Sequence, residues 1–484
     1  MKPQAARSLA TVALASVLAL CAAASSSGVT ATASRTAATA IDWDTYGDSL
    51  ARTGSNPSET TLTPASVGGL KQKWAYKMAA VVNTPPVLAA GVSTSSGTQD
   101  LVYAGDEHGN LVALNAETGA LVWKRNIGSI ATTCKMTPDG VWGVTASPVI
   151  DRTGNTIYAV GGTDELYALD LGTGAIATGW PLSLSTNPKR EQDWGALAFS
   201  GGEVYVVIAS NCDGPGYHGR VVEVNATTHT VTATFYVIPP SGSGGPNGGG
   251  IWGWGGASID PTANALYAAT GNATTTPQNI DYAESVIRLT TGLAFVAFNK
   301  PPLSAGKDLD FGSTPVLFQV SGCPTQLAVQ NKDGQLFLYD RDTIGSGPVQ
   351  TIQVIPSTGL PFVGVPAWSD ATQLLYVSLT VDSTSYKHGM LAFSETAPSC
   401  TLTKSWNTVN GKASTNDTPP TEAGGVVYNG NGKSDKIYAY NAATGAVLWN
   451  SGTAIKGPAF SPPIVVNGMV FVGAWDDELH AFGL

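Results

Sequence analysis

Charged residues are scarce in this 484-residue chain: Asp, Glu, Lys and Arg make up 12%, about half the ~25% usual for soluble domains. Helical proteins spend Glu, Lys and Arg on solvated faces, so the shortage argues against an all-α fold. Basic residues are the rarer sign, 25 against 35 acidic for a net charge of −10, which argues against nucleic acid or an anionic membrane as partner. Histidine is sparse and scattered (His108, His218, His229, His388, His480) and no cysteines are closely spaced, so a structural zinc or metalloprotease site has nothing to build on. Neither a Gly-x-Ser-x-Gly elbow nor a phosphate-cradling Gly-x-x-x-x-Gly-Lys is present, which removes the commonest hydrolase and nucleotidase signatures. Past the N-terminus no segment has the ~20 apolar residues that span a bilayer.

Residues 1–40 lack any acidic residue and read as an export signal with a pro-region. Lys2 and Arg7 form the charged start and Leu9 to Ala24 the apolar stretch. Ala31-Thr32-Ala33 or Ala38-Thr39-Ala40 would be the cleavage site. Cys21 follows Leu20, whereas lipid attachment wants a small residue there. The expectation is a soluble, secreted or extracytoplasmic protein. Four cysteines then remain, Cys134, Cys212, Cys323 and Cys400, enough for two disulfides.

What the chain does have is Gly 56, Pro 29 and a repeat. Short inner strands, most of them marked by proline, recur eight times, from Thr84-Pro85-Pro86-Val87 and Ser147-Pro148-Val149 to Ser461-Pro462-Pro463-Ile464. Each is followed by an apolar or Tyr-containing second strand, such as Leu101-Val102-Tyr103, Ile157-Tyr158-Ala159 and Val470-Phe471-Val472. Such self-similarity means a propeller or a solenoid. The turn after the third strand decides between them: Ala113-Leu114-Asn115-Ala116-Glu117-Thr118-Gly119 precedes Trp123, and Ala439-Tyr440-Asn441-Ala442-Ala443-Thr444-Gly445 precedes Trp449 at the same spacing. Asn or Asp caps the turn, Gly takes the positive-φ position, and the indole can dock between neighbouring sheets. Units that cannot bury their faces alone must close into a ring. The last repeat ends at Leu484 just after its third strand, and residues 70–76 have the pattern of the missing fourth. The fold class is therefore all-β: one eight-bladed propeller of four-stranded antiparallel blades over residues 41–484, closed by its two terminal segments. Residues 239–250 read as a surface loop. Deleting 41–78 is expected to do far more damage than trimming 41–60. From their positions in loops of adjacent blades, the cysteines are expected to pair 134–212 and 323–400.

The repeated turn resembles the tryptophan-docking repeat of propellers that bind pyrroloquinoline quinone (PQQ). Asp42-Trp43-Asp44-Thr45-Tyr46-Gly47, running into Leu62-Thr63-Pro64, resembles the mature start of PQQ-dependent alcohol dehydrogenases. The resemblance implies a quinone stacked on an indole, a hard cation such as calcium on its acidic edge, and a carboxylate that takes the substrate's hydroxyl proton. Residue by residue, it implies Trp254 as the stacking indole, Asn272 in Thr270-Gly271-Asn272 as a metal ligand, and Lys332 at the quinone oxygens. Asp310, in Asp308-Leu309-Asp310-Phe311-Gly312, would orient Lys332. Read without the resemblance, Trp254 is a core residue of the ring, Lys332 a solvated hairpin residue and Asp310 a turn cap. Asn272 becomes an ordinary turn residue or, with Ala273-Thr274, a glycosylation sequon.

Departures from the family pattern matter as much. Typical relatives carry adjacent cysteines beside the quinone, whereas Cys134 stands alone. The metal-binding Glu of the third blade is missing, with Asp213 the nearest carboxylate. Asn83 stands where several relatives use Glu. The catalytic acid is either Asp281 or Glu284, and Asp281 is also a possible metal ligand. The resemblance thus implies an exported PQQ- and calcium-dependent oxidoreductase for a small or polymeric alcohol or polyol. Its electron acceptor would be a separate molecule, since no Cys-x-x-Cys-His is present. The alternative is a propeller that kept the fold without the cofactor and serves as a binding or assembly scaffold for a protein partner.

Overall fold

The computed structural model describes residues 40–132, 137–210, 212–242, 244–304, 308–357, 364–414 and 417–484. The expected export signal and Cys134 lie outside the described residues. Eight four-stranded antiparallel blades follow one another. Blade 1 runs Val87–Thr94, Gly97–Gly105, Asn110–Asn115 and Leu121–Asn126. Blades 2 to 7 occupy 149–183, 198–236, 258–299, 316–353, 367–408 and 421–450. Blade 8 takes Ile464–Val466, Met469–Gly473 and Glu478–Gly483 from the C-terminus and Lys71–Lys77 from the N-terminal side. Second and third strands such as Glu203–Ser210 and Asn110–Asn115 are almost wholly buried, because neighbouring blades cover both faces. That is why they read as continuous apolar runs. Outer strands such as Lys71–Lys77 are mostly exposed and polar.

Ring closure follows the expected register: Lys71 pairs with Gly483 and Lys77 with Glu478 across an antiparallel ladder. No sheet edge is left open at that seam. Three of the repeated tryptophans dock on the turn of the next blade, while Trp449 Nε1 donates to Leu70 O at the ring closure (2.9 Å). Trp74 Nε1 donates to the Ala116 carbonyl (3.1 Å), Trp123 to Leu171 (2.8 Å) and Trp406 to Ala442 (3.0 Å). The turn glycine is required there, since a Cβ on Gly174 would lie 2.6 Å from the Trp123 ring and its φ is +64°. In blade 3 His229, at φ +58°, takes the glycine position and packs against Trp180.

Residues 43–56 form a strap that touches the innermost strand region of every blade. Trp43 exchanges both backbone bonds with Leu88 in blade 1, and Asp44 accepts from Ile150 in blade 2. Arg52 reaches Leu197 O ahead of blade 3 (3.0 Å). Backbone carbonyls of Leu50, Ala51, Thr53 and Gly54 accept from Ile259, Leu317, Trp368 and Glu422 in blades 4 to 7. Asn56 Nδ2 donates to Val465 O in blade 8 (2.9 Å). Arg52 is fully buried, and its other donors go to Ala257 O, Thr45 Oγ1 and Tyr46 O. Burial pulls its guanidinium down to about 10, so it is still charged at neutral pH and held by four oxygen acceptors. These bonds give residues 43–56 a role in all eight blades that the expected contrast between deleting 41–78 and trimming 41–60 leaves out of account.

Cys323 and Cys400 form a disulfide with Cα atoms 5.5 Å apart, tying blade 5 to blade 6 as expected. Cys212 is also disulfide-bonded; its expected partner, Cys134, is outside the described residues.

Candidate functional site

On the funnel side, loops from blades 3, 4 and 5 bring four carboxylates and one lysine together. Lys332 Nζ lies 2.5 Å from Asp308 Oδ1 and 2.9 Å from Asp310 Oδ1, and 4.8 Å above the Trp252 ring. Asp310, buried, also accepts from Trp252 Nε1 at 2.8 Å, so its carboxylate is pinned between an indole and an ammonium. Desolvation works against the Lys332 charge, but the Asp310 and Asp308 carboxylates prevail and hold its pKa above the ordinary lysine value. Asp213 accepts from the Tyr217 hydroxyl at 2.5 Å. Desolvation and then the Asp310 charge raise Asp213, opposed by Tyr217 and Asn272. Glu284 is pushed up to about 7 by desolvation, then by Asp310.

Several residues in and next to these loops have left-handed backbone. Cys212, Asp213, Asp281, Glu284 and Asp308 all have φ between +48° and +59°, a region that non-glycine residues occupy at a cost. Asn272 is buried, its Nδ2 bonds to Ala273 O at 3.1 Å, and its Oδ1 has no hydrogen-bond partner. A buried, unpaired carbonyl oxygen beside excess carboxylates suits a hard cation. The same burial takes the Asn272 sequon out of reach of glycosylation.

Other expected positions fall elsewhere. Asp281 is exposed, with Lys300 as a charged neighbour. Asn83 lies in the loop before blade 1, bridging Glu107 Oε1 (2.6 Å) and Trp475 Nε1 (2.7 Å). Between these two regions lies an aromatic layer. Trp254 packs 5.3 Å from Trp194 and 5.2 Å from Phe460, and Phe460 lies 5.4 Å from Trp475. Trp254 is 3% exposed.

The family model PQQ_2, described as outer membrane protein assembly factor BamB, matches residues 51–231 and 400–483, more than half of the chain. The chain belongs to the PQQ_2 family. A polyvinylalcohol dehydrogenase from a Pseudomonas species is 23% identical over 342 residues, 63% of this chain and 50% of that protein. The chain thus spans about half the length of that curated relative. Among solved structures, a europium-containing methanol dehydrogenase superposes with a TM-score of 0.71 at 15% identity, over 92% of this chain and 98% of the other. Quinohemoprotein alcohol dehydrogenase ADHIIG of Pseudomonas putida HK5 gives 0.70 at 16%, over 92% and 80%. BamB of Moraxella catarrhalis gives 0.54 at 16%, over 86% and 100%. At these identities the likeness is one of fold.

Within this PQQ_2 propeller several site residues carry no sequence signal strong enough to single them out. Asp308 sits in the quoted Asp-Leu-Asp-Phe-Gly run, yet only its position against Lys332 marks it. Tyr217 and Trp252 act through hydrogen bonds to Asp213 and Asp310 that no spacing foretells. Glu107 is fully buried and pushed up to about 7 by desolvation, although the Gly143 amide, Asn83 and Thr145 all bond to it. It supplies a carboxyl group next to Asn83, where several relatives have Glu.

Proposed function

We propose that this PQQ_2-family propeller is an extracytoplasmic dehydrogenase of alcohols or polyols that uses PQQ and a hard divalent cation. The observation that carries it is the unpaired, buried Asn272 Oδ1 beside Asp213 in a cluster with far more acid than base. Ionised together, Asp213, Glu284, Asp308 and Asp310 exceed the charge of Lys332, and a divalent cation would offset most of that excess. Asn272 and Asp213 would hold that cation. Trp254 and its aromatic neighbours would floor the quinone, with Lys332 beside its oxygens. The bound quinone would supply the two-electron acceptor. Glu284, poised near neutrality, would take the hydroxyl proton; Asp281, exposed, is the weaker choice. Asp310 would position Lys332. The names of the relatives, a polyvinylalcohol dehydrogenase and alcohol dehydrogenases, agree with this substrate class. Among the described residues no helix is long and apolar enough to cross a membrane.

The test is quinone binding to the apo-protein by fluorescence quenching. PQQ should bind at micromolar concentration only with Ca²⁺ or a similar cation, and Asn272→Ala should weaken that binding. One observation favours the rival scaffold reading: Trp254 is packed like a core residue, with little face free. No PQQ binding in excess Ca²⁺ would leave the protein-binding scaffold as the better reading.

A further inference from the structure

Two clefts flank the loop that carries Asp213 and Tyr217. The first, about 470 Å³, is walled by Thr274, Thr275, Thr276, Gln278 and Asn279, and Glu284 also lines it. The second, about 580 Å³, is walled by Ser183, Ser185, Thr186, Asn187, Thr234 and Tyr236. Asn247 links their walls. Asn247 Oδ1 accepts from the Gly216 amide on the second cleft (3.0 Å) and from Thr274 Oγ1 on the first (2.5 Å). Backbone bridges from Gly248 to His218 and to Ala273 hold the two walls in register.

The lining chemistry is consistent along both. Hydroxyls and carboxamides recur in each, with Leu303 and Leu309 as the apolar strip of the first cleft and Leu184, Val222, Val231 and Pro240 as that of the second, where His218 also lines the wall. Among the described residues the charges are few: Glu284, Glu191 and Arg220 line the clefts, and Lys300 Nζ bonds to Asn279 O at the wall of the first. Glu191 and Arg220 in the second cleft neutralise each other at 2.7 and 2.8 Å, leaving Glu284 as the acid facing the first. Around these charges a neutral chain of hydroxyls finds donors and acceptors in the Thr and Ser hydroxyls and in the Gln278, Asn279 and Asn187 carboxamides. Each cleft alone is the size of a small-molecule site; a short alcohol would fill neither.

We propose that the two clefts form one binding track, across Asn247, for a linear hydroxyl-rich polymer, and that the track feeds its hydroxyls to Glu284. This rests on the reading of the acid–lysine cluster as the reacting centre, so the test includes an arm independent of turnover. In the first arm, kcat/KM per hydroxyl is compared for poly(vinyl alcohol) and 2-propanol with PQQ- and Ca²⁺-loaded protein. The polymer should be favoured. The Thr275→Val/Thr276→Val and Thr186→Val/Asn187→Ala pairs, at exposed or half-buried positions, should each lower the polymer value about tenfold, the loss of one or two hydrogen bonds. Their 2-propanol values should stay within about twofold of the parent. In the second arm, polymer binding to the apo-protein is measured by intrinsic tryptophan fluorescence, with the same variants weakening it. Turnover of neither alcohol, with variant-sensitive polymer binding, would retain the track and reject the dehydrogenase reading. Equal kcat/KM per hydroxyl for the two alcohols, no polymer binding, or binding undiminished in both variant pairs would overturn the track.

Discussion

Glu284 is the residue whose environment says most about chemistry. Its carboxyl is raised to about 7 because it is partly desolvated and faces Asp310, with Asp308 adding to the effect and Lys300 opposing it. A general base works only when ionised, so kcat/KM in the loaded enzyme should rise with pH through about 7 and flatten above it. Glu284→Gln should remove that limb and lower turnover about 10²- to 10⁴-fold. Asp281→Asn, at an exposed position, should leave both unchanged. If Asp308→Asn instead abolishes the limb, the base is Asp308, whose contact with Lys332 puts it in the same cluster. Asp310→Asn should act differently: Lys332 and Trp252 Nε1 both lose a charged partner, so kcat should fall, while the limb should persist but move to lower pH, because the Asp310 charge helps to raise Glu284.

At the scale of elements, the strap of residues 43–56 and the closing strand 71–77 have separate tasks. The strand seals one seam, whereas the strap reaches all eight blades. Deleting 41–56 while keeping 71–77 should therefore yield protein that aggregates or melts without cooperativity, as judged by calorimetry. A soluble product with a sharp transition would mean that blade-to-blade packing suffices. The blades themselves were legible in the chain because each repeats side-chain signals, a proline-led inner strand and an indole at a fixed offset from a Thr-Gly turn. The strap was not, since most of its bonds use backbone carbonyls, which leave no residue pattern. Arg52 was the available hint, a lone arginine amid apolar and small residues. The Cys323–Cys400 link was legible once the blades were numbered. The site was half legible: Asn272, Asp310 and Lys332 lie in quoted motifs, while Asp308, Tyr217 and Trp252 matter through contacts between loops far apart in sequence.

For the whole molecule, the notable electrostatic fact is how many buried acids are raised together. Desolvation is the leading cause at Asp48, pushed up to about 8, and at Glu107, Glu284 and Glu395, each to about 7. Asp193 and Asp417 are raised well above the carboxylate range for the same leading reason. Such a group keeps its proton in the fold at pH values where the unfolded chain, titrating near 4 to 4.5, has released it. The native state then binds more protons than the unfolded one, and stability falls as pH rises through that window. The opposite group, with Glu191, Asp260 and Asp476 held below their ordinary values by Arg220, by Thr262 with Arg341 and by His480, loses its contribution only as pH drops below about 4. Metal-free protein in chelator should accordingly melt highest near pH 5, with Tm declining steadily to pH 8 and collapsing below about 4. Glu395→Gln, a permanently neutral replacement on blade 6 near the Cys323–Cys400 disulfide, should make the decline between pH 5 and 8 shallower. A Tm that is flat or rising over that interval would show that these carboxyl groups are ionised in the native protein. Added Ca²⁺ would raise Tm most at the alkaline end, where the funnel acids are free of protons and the cation competes with nothing.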